Sequence, residues 1–255
     1  MLLTIDIGNT SIHLGVFDGS NLVKTWKMQS VTERTCDEYS LMIYGFFRAA
    51  DLKPENIEGA IISSVVPPLT PIFQNLCQQL FQVKALTLGP GLKTGMPILY
   101  ENPAEVGADR VAGAVAAYEK FGGPVIVVDL GTATTFDAVS ARGEYLGGAI
   151  APGILISAEA LTIHTAKLPR VELSKPKRVI GRTTVASMHS GIYIGYVGLI
   201  SHLVNEMKKE LGPGTRVVAT GGFASWIAAD VPVIEKVEPY LVLEGLRIIY
   251  ERNKA

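Results

Sequence analysis

Cysteine is nearly absent from this sequence: Cys36 and Cys77 are the only two in 255 residues, far apart and with no Cys-x-x-Cys pair. No disulfide framework and no thiolate zinc site can be built from them, and the pair reads as reduced thiols in a cytoplasmic protein. The four histidines, His13, His164, His189 and His202, lack metal-ligand spacing. There is no excess of either charge. The net charge is −1, and the densest basic group, Lys175, Lys177 and Arg178, is a short solvated cluster. That excludes a basic field able to hold nucleic acid. Three common site motifs are missing as well. No G-x-x-x-x-G-K-[ST] occurs, and the run from Gly89 to Gly95 has the wrong spacing for one. No G-x-G-x-x-G sits between a strand and a helix, and no G-x-S-x-G elbow is present. Two stretches, 59–83 and 183–205, carry no Asp, Glu, Lys or Arg. Prolines and glutamines in the first, hydroxyls and histidines in the second, make both unfit to span a bilayer. Met1 to Asp6 has no basic leader region and reads as a first strand.

What is present is a globular balance, 48% hydrophobic and 18% charged, in a chain long enough for two lobes. The second lobe repeats the opening of the first. Leu3 to Ser11 can be laid on Ile126 to Thr134, so that Asp6 falls on Asp129, Gly8 on Gly131 and Ser11 on Thr134. Each block is an apolar strand, a polar turn and a hairpin, the hairpins turning at Asp18-Gly19-Ser20 and Ala141-Arg142-Gly143. Helical spacing follows over 37–50, 71–81 and 184–211, with a closing helix over 241–252. Asn102-Pro103-Ala104-Glu105 has the form of a helix start, Asn as cap and Pro first, for a helix running to about Lys120. Short strands are expected over 59–66, 84–88, 216–219 and 233–234. Strands alternating with helices mean α/β layers. The expected division is an N-terminal lobe over 1–117 and a C-terminal lobe over 118–255.

The chemistry resides in the strand ends. Asp6, with Gly8, Asn9, Thr10 and Ser11 after it, pairs a carboxylate with a turn whose N–H and hydroxyl groups can cradle phosphate oxygens. A carboxylate repels phosphate, so it would act through a hydrated Mg²⁺. Asp129, Gly131, Thr132, Thr134 and Thr135 offer the same set again. One such block alone reads as a hairpin turn; two in register, with the Thr220-Gly221-Gly222 turn, read as a nucleotide site. Asp109 and Arg110 lie at the start of an apolar helix, where a charged pair needs partners or a task. Asp109 would be a general base and Arg110 an anion or phosphoryl contact; an interface salt bridge reads equally well from chemistry alone.

Taken together, Asp6 to Thr10, Gly107 to Arg110, Asp129 to Thr135, Gly147 to Gly153 and Thr220 to Gly222 resemble the type III pantothenate kinases over nearly the whole chain. The resemblance implies two duplicated actin-like (ribonuclease H-like) α/β lobes with a nucleotide cleft between them. It implies ATP-dependent phosphorylation of pantothenate to 4'-phosphopantothenate by a cytoplasmic homodimer using Mg²⁺ and a monovalent cation, K⁺ or NH₄⁺. By position, Asp6, Ile7, Gly8, Asn9, Thr10, Ser11, Ile12 and His13 would form the phosphate loop, and Thr132 would contact ATP. Asp109 would accept the proton. Tyr100, Gly107, Ala108, Asp109 and Arg110 would line the pantothenate pocket, which Thr184 of the partner subunit would complete. Asp129 would hold the monovalent cation. Where the family has Asn-Thr, this chain has Thr183-Thr184. The helix after that position would be the dimer helix.

Three other readings share parts of this pattern: a kinase for another small alcohol, a non-catalytic regulatory relative, and a chaperone-like ATPase clamp. The intact Asp6, Asp109 and Asp129 argue against lost catalysis, and the chain has no length left for a peptide-binding region.

Overall fold

The computed structural model describes residues 1–254. They form two compact units, 1–119 with 240–254 and 120–239. The first begins with strands β1 (Leu2–Ile7), β2 (Ser11–Asp18) and β3 (Asn21–Gln29), an antiparallel meander. Helix α1 (Cys36–Ala49) starts at Thr35, whose hydroxyl accepts from the Glu38 N–H while the Glu38 carboxylate accepts from the Thr35 N–H. This reciprocal cap fixes the helix start. Strand β4 (Gly59–Ser64), helix α2 (Leu69–Leu80) and the short strand β5 (Leu86–Thr87) complete a sheet of order β3-β2-β1-β4-β5.

The strands of this sheet alternate in the two directions their pleat allows. Leu3, Ile5, Ile7, Ala60 and Ile62 face α1 and α2, packing with Tyr39, Ile43, Phe47, Phe73 and Leu76. Each of the Leu, Ile and Phe side chains among them, fully buried, contributes roughly 1.5–3 kcal/mol. On the other face lies α7 (Leu241–Asn253): Leu243 stands over Gly15 and Tyr250 over Gly59. Helix α3 (Ala108–Phe121) meets α7 where Gly245 rests on the Ala112 carbonyl, a contact with no room for a Cβ. Asn253 fixes the end of α7 by accepting from the Lys93 N–H at 3.0 Å and donating to its carbonyl at 2.8 Å. The closing helix therefore belongs with the first unit, whereas the sequence reading assigned 118–255 to one lobe. The reason is that the face of β1 and β4 carrying Thr4 and Ile61 needs a cover, and the apolar side of α7 provides it.

The second unit repeats the order. Strands β6 (Val125–Leu130), β7 (Ala133–Val139) and β8 (Tyr145–Pro152) form the meander, with β9 (Arg216–Thr220) and β10 (Lys236–Val237) beyond β6, giving β8-β7-β6-β9-β10. Helices α4 (Ile154–Ile163), α5 (Thr184–Leu211) and α6 (Ala224–Ile227) complete the unit. Tyr193, Tyr196, Ile200 and Val204 of α5 pack on Ile126, Val128, Leu130 and Phe136.

Three local expectations change. The cap at Asn102 serves only a 3₁₀ turn, Pro103–Glu105, and the helix restarts at Ala108 because Val106 turns extended. The edge strand expected at 233–234 lies at Lys236–Val237, where it pairs with Val218 and Ala219. Helix α4 was not anticipated.

Candidate functional site

The hairpin registers define the strand ends. In the first unit Asp6 pairs with His13 and Ile7 with Ile12, and the Gly8 N–H donates to the Ser11 carbonyl at 3.1 Å. In the second, Asp129 pairs with Thr135 and Leu130 with Thr134, and the Gly131 N–H donates to the Ala133 carbonyl at 3.1 Å. The second turn is thus one residue shorter. Ala133, not Thr134, stands where Ser11 does; Thr134 takes the inward place of Ile12, because pairing rather than constant offset sets equivalence.

In the first unit, Asn9 and Thr10 are exposed on the turn. Ser30 braces it: its hydroxyl donates to the Gly8 carbonyl at 2.5 Å and its N–H to the Thr10 carbonyl at 3.1 Å. Ile7 and Ile12 are fully buried in the core, so only their backbones are available to a ligand. His13 lies 3.2 Å from the Ser11 hydroxyl. Burial and the nearby Lys27 charge lower its pKa to about 4, so the ring is neutral at pH 7.

The start of α3 reaches the same end of the sheet. The Val65 N–H, just beyond β4, donates to the Ile7 carbonyl at 3.0 Å, and a Cβ on Gly107 would stand 3.6 Å from Val65. The Asp109 carboxylate folds back toward Gly107 and accepts from the Arg110 N–H at 2.8 Å. Burial raises the Asp109 pKa, a rise only partly offset by that hydrogen bond and by the Arg110 charge. Asp6, the turn, and Gly107 to Arg110 therefore gather at the carboxyl ends of the parallel strands β1 and β4, where open α/β sheets place their ligands. Tyr100 is half-buried on the irregular segment leading to the 3₁₀ turn.

In the second unit, Thr132 is exposed on the turn and Asp129 half-buried at the end of β6. Gly221, at φ +92°, lies so close that a side chain there would strike the Asp129 carboxylate and the Leu130 backbone. The Thr220-Gly221-Gly222 turn thus presses on the carboxylate strand. Thr135 donates to Asp137 at 3.1 Å, and the buried Tyr145 hydroxyl donates to the same carboxylate at 2.6 Å. Thr184 stands apart from this hairpin, exposed at the start of α5 beside an open groove of about 970 Å³. Thr183 caps α5 by accepting from the Ala186 N–H at 3.1 Å, a role that Asn fills equally well. Tyr196 links the two places: it lines the groove and its hydroxyl bonds Thr134.

Sequence reading passed over one residue here. Ser63, next to last in β4, lies directly beside Asp6, as Thr220 at the end of β9 lies directly beside Asp129. Extending the internal repeat from the opening hairpins to these crossover strands would have found the pair.

The chain matches the family model for type III pantothenate kinases over residues 2–206. It is 55% identical to the type III pantothenate kinase of Geobacter sulfurreducens over 254 residues, covering 100% of each chain. It is 53% identical to that of Syntrophus aciditrophicus, covering 99% of this chain and 100% of the relative. Among solved structures, a Campylobacter jejuni protein described as a Baf family transcriptional activator aligns with TM-score 0.63 at 21% identity, covering 98% of both chains. An Arthrobacter inorganic polyphosphate/ATP-glucomannokinase aligns at TM-score 0.51 and 14% identity, covering 98% of both. These two likenesses are of fold, that of the actin-like sugar kinases.

Proposed function

The chain belongs to the type III pantothenate kinase family, and on that footing we propose how its residues divide the work. The protein is a kinase that phosphorylates pantothenate, with ATP as donor, in coenzyme A biosynthesis. The product is 4'-phosphopantothenate. Asp109 takes the proton of the primary hydroxyl as that oxygen attacks the γ-phosphorus and the bond to the bridging oxygen of ADP breaks. The observation that carries this assignment is the half-buried Asp109 carboxyl on the first turn of α3, folded back toward Gly107 with its pKa raised from the ordinary carboxylate value. A raised pKa makes the carboxylate a stronger base. Arg110, its neighbour, takes the pantothenate carboxylate or steadies the moving phosphoryl group. Tyr100, Gly107 and Ala108 line the same pocket.

The turn from Gly8 to Ser11 offers backbone N–H groups and hydroxyls to ATP phosphates, and Thr132 is the ATP contact of the second lobe. The donor set around Asp6 suits a hard divalent cation, since it offers oxygen. Among the described residues no cluster of three His, Cys, Asp or Glu could hold a metal alone. One carboxylate with substrate phosphates and waters is the usual arrangement for Mg²⁺. When bound, the ion neutralises charge across the phosphates. Asp129 would hold K⁺ or NH₄⁺.

The working unit in this reading is a cytoplasmic homodimer. Cys36 and Cys77 are free thiols, and no helix among the described residues is long and apolar enough to cross a membrane. On α4, on α5 and on the segment between them, which also supply the groove lining, Ile163 is 73% and Ile180 82% exposed, with Leu155, Ile156, Val185 and Ile194 also open. A patch of this kind marks a protein contact, and Thr184 on it would complete the partner's pantothenate pocket. The test is ADP release from ATP and Mg²⁺ with pantothenate, in K⁺ buffer and in buffer free of K⁺ and NH₄⁺. Turnover that needs both pantothenate and the monovalent cation is expected. No pantothenate-dependent turnover from folded dimer in K⁺ would sink the reading.

A further inference from the structure

Four buried hydroxyls of this fold have a clear hydrogen-bond partner. Thr4 donates to the Gly15 carbonyl at 3.2 Å, Thr134 bonds Tyr196, Ser190 donates to the Val179 carbonyl at 2.5 Å, and Thr215 donates to the Gly212 carbonyl at 2.7 Å. Ser63 differs. It is fully buried at 0% exposure, and its Oγ has no hydrogen-bond partner among the described residues. Its neighbour Ser64, by contrast, bonds Val66 and accepts from Thr70 at 2.8 Å. A hydroxyl buried without a partner destabilises the fold that holds it. The rest of β4 is Gly59, Ala60, Ile61 and Ile62, so packing places no demand for a polar atom at this position.

The position supplies the reason. Ser63 is the register partner of Asp6 on the neighbouring parallel strand. Adjacent strands lie about 4.8 Å apart and directly paired residues share a face, so hydroxyl and carboxylate leave the sheet together at its carboxyl end. The second lobe has the same geometry, with Thr220, 3% exposed, beside Asp129. Two independent copies of a carboxylate with a hydroxyl residue on the crossover strand make this a feature of the lobe rather than a packing accident.

We propose that Ser63 is a positioning residue for the divalent cation that accompanies the nucleotide, its hydroxyl accepting from a water of the hydrated ion that faces Asp6. Waters on such an ion only donate, so Ser63 Oγ is the acceptor, and its own proton is free to turn toward an Asp6 oxygen. The carboxylate and the hydroxyl then hold the ion's hydration shell as a pair. This rests on the kinase reading above. It also predicts a signature that a structural serine would not give. The hydroxyl burdens the ligand-free protein and is satisfied only when cation and nucleotide are bound.

Full-length Ser63→Ala, Ser63→Thr and the unaltered protein would be compared in three measurements: ligand-free melting temperature, Mn²⁺ binding in the presence of ADP by electron paramagnetic resonance titration, and steady-state kinetics. Ser63→Ala is expected to melt at or above the unaltered protein, to bind Mn²⁺ with ADP roughly tenfold more weakly, and to keep its pantothenate KM within about twofold. Ser63→Thr, which carries the residue found at the matching place in the second lobe, should retain Mn²⁺ binding. Ser63→Ala binding Mn²⁺ with ADP as tightly as the unaltered protein would overturn the proposal. So would a lowered melting temperature with all kinetic constants falling together. Should the unaltered protein release no ADP with pantothenate yet lose Mn²⁺ on Ser63→Ala, the kinase reading fails and the Ser63 role stands; absence of Mn²⁺–ADP binding in the unaltered protein overturns both.

Discussion

Asp6 in the first lobe pairs with His13 and lies beside Ser63; Asp129 in the second pairs with Thr135 and lies beside Thr220. Strand order is the same in both, and so is the hydrogen bond that closes the turn. The side chains around the two carboxylates are not. The first lobe sets an imidazole, held neutral by burial, across from its carboxylate and brings Asp109, its pKa raised by burial, to the same sheet end. The second sets a threonine there, tied to the buried Asp137 and Tyr145, and presses a glycine turn against the carboxylate strand. The same backbone order carries an imidazole and a carboxyl of raised pKa in one copy and an arrangement of oxygens in the other.

The largest test of that division is Asp109→Asn, expected to lower kcat roughly a hundred- to ten-thousand-fold with the fold intact. The sign of its stability effect follows from the raised pKa. A carboxyl whose folded pKa lies above its unfolded value destabilises the fold when ionised, so the variant should be at least as stable as the unaltered protein at pH 7. That advantage should shrink as pH falls through the raised value; urea denaturation across pH 4 to 7 would measure it. Loss of turnover accompanied by unfolding would break the assignment.

Next is Gly221→Ala. A side chain at φ +92° against Asp129 and Leu130 should cost about 1–3 kcal/mol or more. Ser64→Ala, the matching place in the first lobe, loses only its hydrogen bonds, about 1 kcal/mol. Equal losses in denaturant midpoint would show the two turns to be less different than they look.

His13 gives a pH test. Its folded pKa of about 4 lies below the ordinary 6.5, so the unfolded chain binds the proton first and stability falls as pH drops from about 6.5 toward 4. The loss is at most about 3 kcal/mol, less for the part of the ring that water reaches. His13→Thr, which copies the second lobe, should flatten that slope. An unchanged slope would put the titration elsewhere.

The smallest effect belongs to Tyr196→Phe, which removes the partner of Thr134 and should cost about 1 kcal/mol. A double-mutant cycle with Thr134→Val reads the coupling, and additive losses would mean that groove and hairpin are not linked through this bond.

Much of this was legible in the residues. Both hairpins, and α5 from Thr184 to Leu211, follow from alternation, turn residues and helical period. Helix α4 was not, because Ile-Leu-Ile-Ser-Ala-Glu-Ala-Leu-Thr-Ile is apolar around most of its circumference: Ile154 and Ala158 are buried while Leu155, Ile156 and Ile163 are open. Periodicity carries no signal when both faces are greasy. The two strand-end carboxylates were legible because the repeat copies Asp and Gly in register. Ser63 was legible only as the counterpart of Thr220 on the crossover strand; its meaning depends on a neighbouring strand some fifty residues away in sequence and on the lack of a partner. Nor could the assignment of α7 be read from order along the chain, because sequence adjacency suggested the second lobe and a bare sheet face claimed it for the first.

The first lobe is interrupted: residues 1–119 are finished by 240–254, with all of the second lobe between them. A ribosome adding about 5–20 residues per second needs on the order of 10 seconds to cross that insertion. Through that interval the second lobe can fold as one continuous piece. The first must wait with one side of β1 and β4 uncovered, Thr4 and Ile61 turned outward and the seat for Gly245 on Ala112 empty. The same order makes the segment 240–254 a timing element in biosynthesis. Shortening or delaying it would strand the lobe that holds Asp109 after its neighbour had already matured, and nascent chains stalled there should be the ones that chaperones find.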